Sequence, residues 1–252
     1  MTDLADTTPL SGLSLGRFEA RVAMTAQDKA AAQALRAMAF GAAARDCDAL
    51  DRICMHVLIE DRDSGALVCC FRMLHLSSGA DIARSYSAQF YDLCALTAFA
   101  APMVELGRFC IHPDWNDPDI LRVAWGMITR YVDENKIEML FGCSSFKGTD
   151  DSNYTDAFAL LKDRYLAPAQ WRPRIKSADV FGFAQALRTH PPDMRAAMQA
   201  MPPLLRTYLM MGGWVSDHAV VDTHMNTLHV FTGLEIAAIP AARKRLLRAV
   251  AQ

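Results

Sequence analysis

From Arg17 to Thr25 apolar and polar residues alternate, with Phe18, Ala20 and Val22 on one side and Glu19 and Arg21 on the other. That two-residue period predicts a half-buried strand. The period changes over Ala26 to Phe40, where Leu35, Met38 and Ala39 stand at helical spacing in an alanine-rich run, and a helix is expected. After the polar stretch ARDCDALD come two strand-like runs, ICMHVLIED and ALVCCFRML. They are joined by Arg62, Asp63, Ser64 and Gly65, a turn composition that predicts a hairpin. Residues 75–102 read as irregular. MVELGRFCI then reads as a strand and HPDWNDPD as a loop. Asp117 before Pro118 marks a helix start, so Ile120 to Asn135 is expected to be helical. IEMLFGCSS suits a buried strand, and Asn153 to Tyr165 reads as helix. The last third holds Pro-rich helical pieces, a β-like stretch through NTLHVFTGLEI and a basic tail helix.

This order of elements is an α/β pattern with a mixed sheet. Residues 1–16 are expected to form a flexible N-terminus, and residues 17–252 one domain with a C-terminal elaboration from about residue 186. A hydrophobic content of 52% supports a full core, and a net charge of −2 gives no global footprint for nucleic acid. The seven cysteines are an odd number, sit mostly in apolar runs and lack zinc-finger spacing, which fits free thiols in a reducing cytoplasm. The first residues, MTDLADTTPLSGLSLG, lack the basic and apolar regions of a signal peptide. Charged residues interrupt every candidate for the ~18 apolar residues of a membrane span.

Chemistry concentrates in MVELGRFCIHPDW. Glu105 and Arg108 are ionisable residues on a strand that is otherwise Val104, Leu106, Phe109 and Ile111. Buried charges are either paired or functional, and both readings stand for this couple. On a regular strand positions 105 and 108 point to opposite faces, and Gly107 is where a bulge would re-aim one of them. Arg72 is a charge inside a second apolar strand, read either as an edge residue snorkelling to solvent or as a site residue. Asp48 and Asp51 read as turn and cap residues when taken alone. His218, His224 and His229 cluster in sequence and read first as surface histidines, with a metal site as the weaker alternative. No nucleophile elbow, Walker loop, dinucleotide fingerprint or H-E-x-x-H motif occurs. Gly142, Ser144 and Ser145 interrupt a buried strand, where small residues permit close approach to the backbone.

Over residues 17–185 the order of elements resembles the GNAT superfamily of N-acyltransferases, whose sheet is mixed and splayed. MVELGRFCIHPDW, EMLFGCSSFKG, MPPLLRTYLMMGG and the D-H-A-V-V-D that follows resemble the L-ornithine Nα-acyltransferases of bacterial ornithine-lipid synthesis. Arg36, Phe40, Asp48, Asp51, Arg72, Glu105 and Arg108 match, in order, a pattern shared with acyl-homoserine-lactone synthases. The resemblance implies Glu105 and Arg108 as catalytic residues, with Asp48, Asp51, Arg72, Arg36, Phe40 and Ser144 at the substrates. It implies an acyl donor carried on the phosphopantetheine arm of acyl carrier protein, no tightly bound cofactor and no metal. The acceptor it implies is ornithine, with another amino acid such as glutamine as an alternative. A signal synthase using S-adenosylmethionine, or a non-catalytic lipid-binding module, are the rival functions. The loop HPDWNDPDIL lacks the glycines with which acetyl-CoA-dependent GNAT enzymes hold a pyrophosphate, and this departure favours the carrier-bound donor. In the tail, Arg243, Lys244, Arg245 and Arg248 lie beside Leu246, Leu247 and Val250. Such a helix suits the acidic carrier protein, or an anionic membrane surface for an otherwise cytoplasmic enzyme, or is a solvated cap.

Overall fold

A computed structural model describes residues 10–41 and 45–251. In chain order the elements are β1 (Leu13–Leu15), β2 (Phe18–Val22), α1 (Ala26–Phe40), β3 (Met55–Asp61), β4 (Leu67–Leu76), α2 (Ser87–Phe90), β5 (Tyr91–Asp92), β6 (Met103–Ile111), α3 (Pro118–Glu134) and β7 (Met139–Lys147). There follow α4 (Thr155–Arg164), β8 (Arg174–Ile175), β9 (Val180–Phe181), α5 (Phe183–Ala186), α6 (Met194–Ala200), α7 (Pro203–Met210), β10 (Trp214–Val215), β11 (Ala219–Asp222), β12 (Thr227–Glu235) and α8 (Ala241–Ala251). The chain is α/β and divides into two compact units. The first holds residues up to His75, Val104–Glu138 and the tail from Ala241; the second holds Leu76–Met103 and Met139–Pro240.

In the first unit the strand order is β1-β2-β3-β4-β6. Of the expected flexible N-terminus, residues 1–9 lie outside the described residues. Leu13–Leu15 corrects that expectation, because it forms a strand antiparallel to β2 around a turn in which Gly16 takes φ +59°. Three residues are too few to show a period in sequence. Helix α1 starts where its chemistry says it should. Thr25 accepts the Asp28 N–H and Asp28 accepts from Thr25 in return, a reciprocal capping box, and Gly41 closes the far end in the left-handed conformation. Its buried stripe, Ala32 and Leu35, packs with Leu58, Cys70 and Cys110, and Phe40 leans on the same cluster. Asp117 caps α3, with Pro118 in its first turn.

The tail helix α8 lies along α3. Gly126 makes that approach possible, since a β-carbon there would stand 2.9 Å from Val250 and 2.6 Å from Leu13. Arg130 donates to the Ala251 carbonyl through Nε (2.9 Å) and Nη2 (2.6 Å), and Arg248 is paired with Asp133. The outward face carries Arg243, Arg245 and Leu246, the last 64% exposed.

In the second unit β7, β12, β11 and β9 lie side by side, each antiparallel to its neighbour, and β10 also pairs antiparallel with β12. Phe146, Phe158, Phe183 and Leu205 anchor its core. The segment read as irregular contributes short 3-10 turns, α2 and β5, the last paired with β8. His218 and His229 are buried here, unlike the surface histidines expected; His224 is exposed. Cys47 and Cys94 are exposed, Cys143 is half-buried, the other four cysteines are buried, and all seven are free thiols.

Candidate active site

A buried cluster of alternating charges fills the region between α1, the loop after it and strands β4 and β6. Arg36, on the buried side of α1 and 1% exposed, donates from Nε to Asp46 (2.7 Å) and from Nη1 to Asp51 (2.7 Å), and its Nη2 reaches the Asp46 carbonyl (2.6 Å). Gln33, one turn earlier, adds a bond to Asp51 (3.0 Å). Arg72 rises from the middle of β4 and grips Asp48 with both terminal nitrogens (2.6 and 2.7 Å), while Nη1 also reaches Asp51 (2.7 Å). Arg108 closes the circuit with Nε on Asp46 (2.9 Å) and Nη2 on Asp48 (3.3 Å). Three guanidinium groups thus meet three carboxylates. Buried charges persist when their pairing is this complete, and removing one member strands the others.

The loop owes its shape to the same acids. Asp48 accepts the Leu50 N–H at 2.9 Å and caps a 3-10 turn over Ala49–Arg52. Its cap role and its pairing with Arg72 are therefore both real. Arg72 sits opposite His56, on a strand flanked by β3 and β6, so it is an interior residue and not the edge residue that its snorkelling reading required. The His56 Nε2 stands 3.1 Å from the Asp51 carbonyl oxygen.

Electrostatics follow the geometry. Burial pushes the Asp51 carboxyl up, but hydrogen bonds and charge from Arg36, with Gln33 and Arg72 behind it, hold it well below the ordinary aspartate range. Asp48 is also lowered: burial opposes, and the Arg72 hydrogen bond and the charges of Arg72 and Arg108 prevail. Burial pushes the Cys54 thiol up to about 12; Arg72 works against that, and the nearby charges of Glu105, Asp48 and Asp51 add to it. Cys54 is thus no nucleophile at neutral pH.

Glu105 is 4% exposed on β6, and its charge is felt at Cys54 beside those of Arg72 and the aspartates. Three residues on, Arg108 takes φ +53°, the left-handed region that a residue with a side chain seldom occupies. The strand departs from regularity there, whereas Gly107 was the position expected to bulge. A β-carbon on Gly107 would meet Arg72 Nε at an ordinary 3.5 Å, so no close approach requires the glycine.

Arg36, Asp48, Asp51, Arg72 and Arg108 therefore share one hydrogen-bonded network, and Phe40 packs in the apolar cluster of the same unit. Ser144 belongs to the second unit, where it is buried on β7 and accepts a bond from Thr232 Oγ1 at 2.9 Å. Asp46, Gln33 and His56 join the network without having been singled out from sequence. For Asp46 a signal was there: three acids in ARDCDALD follow a helix that places an arginine on its apolar side.

An α/β fold with charges gathered between α1, β4 and β6, in a chain whose residues 32–126 match the acetyltransferase (GNAT) domain family, defines an acyltransferase of the GNAT class. An L-ornithine N(alpha)-acyltransferase of Rhodobacter capsulatus is 33% identical over 239 residues, covering 88% of this chain and 91% of the relative. Another, from Agrobacterium fabrum, is 27% identical and covers 89% and 83%. The chain belongs to this L-ornithine Nα-acyltransferase family. Among solved structures, an N-acyl amino acid synthase from uncultured soil microbes superposes with a TM-score of 0.47 at 9% identity, over 88% of this chain and 93% of that one.

Proposed function

We propose that the chain transfers a (3-hydroxy) fatty acyl group from acyl carrier protein to the α-amine of L-ornithine, the first step of ornithine-lipid synthesis. The observation that carries this reading is a buried carboxylate, Glu105, held on β6 beside a saturated Arg–Asp network, in a chain of this family. An α-ammonium is protonated at neutral pH and must lose a proton before it attacks a thioester. Glu105 accepts that proton, directly or through water. The amine nitrogen adds to the thioester carbon, the C–S bond breaks, and the pantetheine sulfur leaves as thiolate. Backbone N–H groups over Leu106–Arg108, where the left-handed residue takes the chain out of ladder geometry, are the donors for the oxyanion. Arg36, Asp51 and Arg72 act as the frame that holds β6 and the 46–51 loop; Arg108 and Asp48 belong to the same frame and stand at its more open edge.

The carrier-bound donor is supported by the start of α3. The Asp119 N–H is already taken by Asp117 (2.9 Å), Pro118 has no N–H, and the connecting loop is turned on itself by a Trp115 N–H bond to His112. Little remains for a nucleotide pyrophosphate. With one acyl chain on two donors, kcat/KM for acyl carrier protein is expected to exceed that for acyl-CoA by at least tenfold. Mass spectrometry of N-acylornithine formed by the purified chain checks both readings: no product from either donor defeats the function, and equal efficiency defeats the donor assignment.

The outward face of α8 also belongs to this proposal. Arg243, Arg245 and a 64%-exposed Leu246 make a basic face with an apolar tooth, which supports contact with an anionic surface. No described helix is long and apolar enough to cross a membrane. Neutralising Arg243, Lys244, Arg245 and Arg248 together is expected to lower binding to anionic vesicles while leaving KM for the carrier protein unchanged. A raised KM with unchanged vesicle binding assigns the face to carrier docking instead, and no change in either leaves α8 a cap on α3.

A further inference from the structure

A cleft of about 380 Å³ in the second unit lies outside the network described above. Its walls are Ala95, Ala169, Pro173 and Ile175, and its charged groups are Arg172, Arg174 and Asp217. Each charge is held in place by local structure. A 3-10 turn over Ala169–Trp171 precedes Arg172, with the Trp171 ring set edge-on against Phe99, and Arg172 Nη2 is anchored on the Ala167 carbonyl (3.2 Å). Arg174 is fixed by the β5–β8 ribbon, where it pairs in register with Asp92. Both arginines are exposed beyond these contacts. Asp217 is backed by His218, which is 1% exposed and places Nδ1 2.7 Å from a carboxylate oxygen. That contact, with the charge of Arg172 also acting against burial, keeps the Asp217 carboxyl ionised, while 38% of its side chain faces outward.

The cleft thus gathers two cations and one anion among short apolar residues, with the Arg172 charge felt at Asp217. We propose that this cleft is a binding site for an α-amino-acid zwitterion, its carboxylate on Arg172 and Arg174 and its ammonium on Asp217. Planar guanidinium forks match a carboxylate, and a buttressed aspartate is the natural counterpart of an ammonium. A simple anion satisfies only the arginines and is repelled by Asp217. This separates the two ligand classes and makes Asp217 the discriminating residue.

Calorimetric titration of the full chain with L-norvaline, L-ornithine and inorganic phosphate tests the assignment, using wild type, Asp217→Asn, Arg174→Gln and, as a control outside the cleft, Lys176→Gln. The wild type is expected to bind norvaline and ornithine. Asp217→Asn and Arg174→Gln are each expected to weaken norvaline binding about tenfold or more, the size of losing one charge-assisted contact, with Lys176→Gln unchanged. Arg174 is exposed on a two-residue strand, so its variant keeps the test valid if Asp217→Asn fails to fold. Tighter phosphate binding and unchanged amino-acid binding in Asp217→Asn would overturn the proposal in favour of an anion site. Amino-acid binding that neither variant alters, or no binding by the wild type, would overturn it too. None of these readouts depends on acyl transfer, so the proposed reaction stands or falls separately.

Discussion

Replacing Glu105 by glutamine is expected to lower N-acylation by about 10²–10⁴-fold, the usual effect of losing a general base, while the protein stays folded. The amide keeps the size and hydrogen-bonding head of the carboxyl group, and position 105 is already buried, so packing is preserved. What disappears is the capacity to hold a proton taken from the α-ammonium. Raising pH separates this role from a structural one. Where a larger fraction of free ornithine is already deprotonated, the variant should recover relative to the wild type, and a purely structural lesion would not. Single-turnover kinetics on the folded variant decide the matter; near-normal turnover at neutral pH sinks the assignment of Glu105 as base.

The largest stability effect should come from Arg36. Replacing it with methionine retains much of the apolar stem but strips Asp46 and Asp51 of their shared partner. Breaking a buried pair from one side typically costs about 3–5 kcal/mol. In a chain of this size that corresponds to a fall in Tm of roughly 6–20 °C. A shift under 2 °C in a calorimetric scan would show that the network holds the site without supporting the fold. Acid titration gives an independent view. The folded Asp48 and Asp51 carboxyls titrate below the ordinary value of about 3.9, so the unfolded chain takes up these protons first as pH falls. Their contribution is complete above that value and is lost as pH drops towards the folded values. Arg36→Met removes the strongest cause of the lowering at Asp51, and the midpoint of acid unfolding should move to higher pH.

Features set by neighbouring residues were legible in sequence. Helix α1 was expected over the residues it occupies, because alanine fills it and Leu35, Met38 and Ala39 stand at helical spacing. Asp117 and Pro118 announced α3, and the run MVELGRFCI is β6 from end to end. The arginine-bearing hairpin of β3 and β4 showed itself through its turn residues. What local pattern does not encode is partnership across the chain. Asp46 and Arg108 are 62 positions apart and Asp48 and Arg72 are 24 apart, and nothing in either neighbourhood says which acid meets which base. The same gap explains the misplaced histidines. His218 and His229 were read as surface residues because they straddle a turn and a strand in sequence, yet they are buried around the Tyr91 ring, which comes from a segment that had no readable period. Gly107 drew the bulge because glycine is the usual sign of one; the structure places the irregular φ on Arg108, whose two aspartate partners hold it there.

That left-handed arginine also shapes the routes by which the family's sequences can drift. In the interior of a strand alanine normally replaces a residue at less cost than glycine does. At φ +53° the order inverts: glycine relaxes the backbone as it deletes the ion pairs, whereas alanine deletes them and keeps the strain. Asparagine tolerates the same backbone region but brings no positive charge to Asp46 and Asp48. Lysine keeps the charge but gives up the fork that touches both acids at once. Each single-step departure from arginine therefore loses either the backbone fit or the double contact, which leaves position 108 few neutral neighbours in sequence space.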